Sequence, residues 1–378
     1  MSANFWLFCW NGLFVASSYL SLFLLIRYGS PANVAATGDL ALLVTAFTPL
    51  INLSINSLSY RNITKSDFHT KLLVRAILSL TLVLTISIAL VALLSELDPP
   101  SYIYLCALTV VFMRLNGEIF KAYLLLHKKV RLYALLVSAQ CGLTALVVVS
   151  FWEDMSFEMR FLSLALAELP PFLATLFWIR SFQANRIIRV LRYYFLKSRY
   201  YFLAWIPSVI FLTLDKSLPR YFYLDDYVLF VKISSISGVL IVYNGIALNS
   251  CSSDLLSGKM PIRKFLVSHC IRGFSVACGL LFVSTLILPE MGLATVVLVC
   301  ALLFSCSLNL LYRPYALQID RASNFSAKFF CWTLSVTFSI ITFFLVKNHA
   351  QIFSVPLSIS FGYCILFLLM RRHVSSNQ

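Results

Sequence analysis

The chain has 378 residues, of which 60% are hydrophobic and only 12% charged, with a mean hydropathy of +0.87. Soluble domains carry about 25% charged residues, so this composition excludes an ordinary soluble enzyme. The net charge of +15 is spread between apolar runs, where a membrane protein needs it, which argues against nucleic acid as a partner.

In chain order, apolar runs predict spans at about 5–27, 37–60, 73–95, 102–126, 131–151 and 159–180. They continue at 201–219, 227–251, 264–287, 293–312, 323–346 and 352–370. The first run, Phe5 to Ile26, exceeds a signal-peptide core and has no basic leader, so it reads as a span. Gly29-Ser30-Pro31, Pro99-Pro100 and Pro289 to Gly292 are turn chemistry between spans. Twelve spans of about 20 residues take about 240 residues, leaving short loops and no room for an enzymatic head.

Charge in alternate loops sets an orientation. Arg61, Lys65, Lys128, Lys129, Arg186, Arg189, Arg192, Lys259, Arg263, Arg313, Arg371 and Arg372 fall in one set. The other set holds few cations, among them Arg27, Arg160 and Arg220, together with acids such as Glu96, Asp98, Glu158 and Asp225. The positive-inside rule then places both termini in the cytoplasm.

The stretch Arg180 to Tyr201 is the longest internal connection. Ile187, Ile188, Leu191, Tyr194 and Phe195 recur near helical spacing among basic residues, which predicts an amphipathic helix on an anionic leaflet. A linker held by positive-inside charge explains the same residues. Three parts are expected: residues 1–180 with six spans, a connector at 181–200, and residues 201–378 with six more. A weak repeat at an offset near 190 residues pairs Leu25-Ile26-Arg27-Tyr28 with Leu218-Pro219-Arg220-Tyr221. The predicted fold class is therefore an all-α polytopic membrane protein with about twelve transmembrane helices in two six-helix lobes, an architecture suited to alternating access.

A charge at membrane depth costs at least ~2.5–3.5 kcal/mol, so each one demands a reason. Arg114 and Glu118 sit near the centre of span four, four residues apart and on one helix face. Glu168 is central in span six, just before Pro170-Pro171, a pair that frees backbone carbonyls. Asp215 and Lys216 lie toward one end of span seven, Lys232 inside span eight and Arg272 well inside span nine. Packing pairs and snorkelling cations account for part of this set. The cations Arg114, Lys216, Lys232 and Arg272 also suit a phosphate or diphosphate, and Glu118, Glu168 and Asp215 suit ion coupling or gating. Ten cysteines without a CxxC pair, scattered histidines and no nucleotide or hydrolase signature leave no metal, cofactor or catalytic residue to name.

Three segments carry a family resemblance. Trp205-Ile206-Pro207-Ser208, followed by Leu214-Asp215-Lys216 and the span from Tyr227, resembles the start of the second half of polysaccharide flippases. Gly12 to Tyr28, ending Leu-Leu-Ile-Arg-Tyr-Gly, resembles the opening of the same family. His127-Lys128-Lys129-Val130-Arg131-Leu132-Tyr133-Ala134 resembles its loop between spans four and five. The chain is thus similar to O-antigen and capsule repeat-unit flippases of the multidrug/oligosaccharidyl-lipid/polysaccharide (MOP) exporter superfamily, with a MATE-like fold. It departs from them at Asn33 to Gly38, where a more aromatic entry to span two is usual. The resemblance implies a bacterial inner-membrane protein that moves an undecaprenyl-diphosphate-linked oligosaccharide by alternating access. It implies membrane lipids, a polysaccharide polymerase and chain-length machinery as partners. A multidrug exporter of the superfamily and a membrane-embedded polymerase or acyltransferase are the competing readings.

Overall fold

A computed structural model of the chain describes residues 3–52, 67–94, 100–126, 129–152, 155–179, 187–256, 258–288, 292–322 and 324–376. The basic loop Arg61 to Lys65, the segment Arg180 to Arg186, and Pro99, Pro289 and Glu290 lie outside them. The described residues form twelve α-helices and no strand. They are α1 (Ala3–Tyr28), α2 (Pro31–Asn52), α3 (Asp67–Leu94), α4 (Ser101–Leu126), α5 (Val130–Ser150) and α6 (Phe157–Ile179). Then follow α7 (Ile187–Phe222), α8 (Tyr227–Leu256), α9 (Ile262–Ile287), α10 (Leu293–Ala322), α11 (Phe325–Ala350) and α12 (Ser354–Ser375).

Local chemistry explains the breaks. Gly29 N–H donates to Leu25 C=O at 2.7 Å, and any Cβ at Gly29 would strike that carbonyl. Pro31 then opens α2, where its missing N–H is not needed. Asn324 caps α11 by accepting from the Ala327 N–H at 3.1 Å. The apolar run Phe325–Ser375 is 51 residues long, far more than one span, and it divides at Gln351, whose φ is +47°. Among the described residues, seven stretches are long and apolar enough to cross a membrane, that run included, and Gly12–Tyr28 and Leu78–Leu94 are shorter apolar helices. The chain is a multi-pass helical membrane protein.

Two helices outrun their apolar cores. The tenth was expected to end near residue 312 but continues to Ala322, so Arg313 belongs to a helix and not to a loop. The basic stretch from Ile187 runs unbroken into the seventh span, giving a single 36-residue helix. Hydropathy marks where the bilayer is crossed; backbone hydrogen bonding continues wherever helix formers follow.

The helices gather into two compact units, one of residues 16–205 and one of residues 1–15 with 206–378, so the divisions fall inside α1 and α7. In the first unit α4 packs on α2, α3 and α6, and α6 packs on α5. Its apolar core joins Leu40, Leu43 and Phe47 of α2 to Ile103, Ala107, Val111 and Leu115 of α4. In the second unit α10 packs on α8, α9 and α12, and α12 packs on α11. The neighbour pattern thus recurs six helices along.

Lipid tails are as apolar as leucine, so close approach and interhelical hydrogen bonds hold such bundles. Gly117 of α4 packs against Pro171 of α6, so closely that a Cβ there would lie only 3.0 Å from the proline ring. A Cβ at Gly362 of α12 would overlap Ser339 of α11 and Phe211 of α7, and Ser335 Oγ donates to the Gly362 carbonyl at 2.7 Å.

Candidate functional site

A polar seam runs through the first unit on α1, α4, α5 and α6. Pro171 has no N–H for the carbonyl four residues back, that of Ala167, and Gln140 Nε2 of α5 donates to it at 2.6 Å. One turn before that proline lies Glu168, 3% exposed. Its Oε1 accepts from Arg114 Nε of α4 at 2.7 Å, while Oε2 is buried without a hydrogen-bond partner among the described residues. Arg114 therefore pairs across helices with Glu168 and not with Glu118 on its own helix. Glu118, with 43% of its side chain exposed, pairs instead with Lys121 Nζ at 2.8 Å. Lys121 is 7% exposed inside α4. Asn116 Nδ2 donates to Thr81 Oγ1 of α3 at 3.1 Å, and Thr175 Oγ1 reaches the Asn116 carbonyl at 3.1 Å.

Arg160 was read as a loop residue. It lies in the first turn of α6, buried, with Nη1 donating to the Ser18 carbonyl at 2.7 Å and to Ser21 Oγ. Ser163 Oγ joins Ser21 Oγ at 3.1 Å. A serine pair three apart on α1, facing a serine three beyond the arginine on α6, was the sequence signal for this clamp. Asp39 of α2, not singled out in the sequence, is also buried.

The second unit carries charge differently. Asp215 Oδ2 and Lys216 Nζ of α7 pair at 2.7 Å, each side chain about a quarter exposed, and Asp215 Oδ1 has no hydrogen-bond partner among the described residues. Beside this helix lies an aromatic cluster. Phe211 meets Tyr363 edge-on at 4.8 Å and Trp332 at 5.6 Å, and Tyr312 stacks on Tyr363 at 5.8 Å. Asn309 Nδ2 donates to Tyr363 Oη at 3.0 Å, and Arg313 Nε donates to Asn309 Oδ1. Arg313 lies along Gly245 of α8.

Lys232 is half-buried near the start of α8. Arg272 is exposed at mid-length of α9 beside exposed Ile271 and Phe274, because the face of α9 that packs inward carries Phe265, His269, Gly273, Leu280 and Ser284. Neither Lys232, Arg272 nor Arg313 has a carboxylate partner among the described residues. The structure thus brings Arg114 to Glu168 and Asp215 to Lys216, and leaves Lys232 and Arg272 as separate cations. Among the described residues no three His, Cys, Asp or Glu side chains gather as a metal site.

The fold is MATE-like. The chain aligns with an inward-facing conformation of a multidrug resistance MATE family transporter at a TM-score of 0.62 and 14% identity, covering 96% of this chain and 95% of that one. The outward-facing conformation of such a transporter aligns equally well, at 0.62 and 14%, covering 99% and 96%. A MOP superfamily transporter from Pyrococcus furiosus, described as having a binding pocket of reverse polarity that suggests a different function, aligns at 0.50 and 12%, covering 100% and 93%. No protein-family model and no curated protein matches the sequence. At these identities the likeness defines the fold.

Proposed function

We propose that the protein is an exporter-type flippase that carries an undecaprenyl-diphosphate-linked oligosaccharide from the inner to the outer leaflet of a bacterial inner membrane. The observation that carries this reading is the pair Lys232 and Arg272, cations inside the eighth and ninth apolar spans without carboxylate partners among the described residues. Uncompensated cations favour an anionic headgroup and disfavour a cationic drug. In this reading Arg114, Lys216, Lys232 and Arg272 contact the diphosphate or its sugars. Glu118, Glu168 and Asp215 serve ion coupling or gating, and the spare oxygens of Glu168 and Asp215 support that role. Both termini are cytoplasmic, no catalytic step is involved, and a polysaccharide polymerase with its chain-length machinery takes up the product.

A multidrug exporter of the same superfamily is the second reading. It draws on the carboxylates Glu118 and Glu168 of the first unit, the half-exposed Glu118 above all. Transfer of the lipid-linked unit between leaflets, measured in a deletion strain complemented with variants, decides between them. Arg272→Ala and Lys232→Ala should each reduce leaflet transfer while expression and insertion persist. Normal transfer in both, with loss of resistance to cationic drugs on deletion, would reverse the assignment.

A further inference from the structure

We infer that the first unit holds a binding site for a phosphate-type oxyanion at Arg160, with Arg114 and Tyr19 at its rim. A guanidinium keeps its charge in a protein, and burying one calls for an anion or a full set of acceptors. Arg160 is 7% exposed and has neither. Its hydrogen bonds among the described residues go to neutral acceptors and are both made by Nη1, to the Ser18 carbonyl and Ser21 Oγ. Its Nε is buried without a partner among the described residues, and no carboxylate there pairs with it. Tyr19 and a second cation, Arg114, both lie within electrostatic reach of Arg160, and Tyr19 is within reach of Arg114 as well. Glu168 engages only the Nε of Arg114. Two guanidinium groups that repel each other, one of them with an idle buried N–H, form a place that an added anion completes.

Planar N–H forks match a phosphate oxygen pair better than a spherical halide. Ser163, bonded to Ser21, fixes the hydroxyl that holds Arg160 Nη1, so the idle Nε is held in place and does not swing to find an acceptor. Arg114 and Tyr19 are half-exposed, which gives the ligand its side of approach. A lipid diphosphate headgroup and free inorganic phosphate share the required chemistry. The site stands independently of the transport reading: diphosphate binding without leaflet transfer would refute that reading and leave this one intact.

The test is thermal unfolding of the full chain in detergent, titrated with inorganic diphosphate at constant ionic strength set by chloride. The wild-type midpoint should rise saturably. In Arg160→Gln the half-saturating concentration should rise about tenfold or more. Arg160→Lys, which keeps the charge and loses the fork, should weaken the response as well and serves if the glutamine variant does not fold. Bilayer discs with and without a polyprenyl diphosphate separate the sources: suppression of the soluble effect by the lipid identifies the headgroup, and its persistence identifies the free anion. A wild-type midpoint that ignores diphosphate, or that responds as the position-160 variants do, would overturn the site.

Discussion

Glu168 and Arg114 show what pairing across helices does at the residue scale. Apolar spacing gave each its depth, and helical geometry offered Glu118 as the partner of Arg114, yet the contact forms with a side chain 54 positions away. A double-mutant cycle on Arg114 and Glu168 should return a coupling of about 1–3 kcal/mol, because the acid is buried. The same cycle on Glu118 and Lys121 should return less than about 1 kcal/mol, since Glu118 is close to half exposed. Equal couplings would contradict the burial assigned to the two acids. Depth was legible in the sequence and facing was not. Arg272, deep by position, stands on the open face of its helix, while Arg160, shallow by position, is buried against α1. Which side a residue presents depends on the partners its helix finds, and spacing along one helix does not contain them.

Between elements, the junction of α5 with α6 is built on a missing N–H. Gln140→Leu should cost about 1–3 kcal/mol, because the Ala167 carbonyl loses its donor. In a Pro171→Ala background the same substitution should cost much less, since residue 171 can then donate to that carbonyl itself. Unfolding midpoints of the four proteins measure the difference, and an undiminished cost in the alanine background would refute the assignment. Gly362→Ala should destabilise the second unit by about 1–3 kcal/mol through overlap with Ser339 and Phe211. A truncation that also removes the clash, Gly362→Ala with Ser339→Gly, should recover part of the loss. The prolines announced freed carbonyls, and Gly29-Ser30-Pro31 announced a break. The donor from α5 was hidden because it lies on another helix, and the extensions of α7 and α10 were hidden because hydropathy does not report helix beyond the apolar core.

At the scale of the whole molecule, the recurrence of neighbours six helices apart agrees with the faint offset of about 190 residues in the sequence. Twelve helices followed from composition and turn chemistry, since those fix how many apolar segments exist and where they stop, and the MATE-like architecture was what the family resemblance implied. On the proposed reading the cargo is written in fewer residues, chiefly cations without carboxylate partners among the described residues. The central claim is leaflet transfer of a lipid-linked repeat unit, and the most direct measurement is the leaflet in which that unit resides when the protein is deleted. Intact units held at the cytoplasmic face, released by the wild type and poorly by Arg272→Ala, are the predicted result. Units that reach the outer face without the protein and remain unpolymerised would contradict the account.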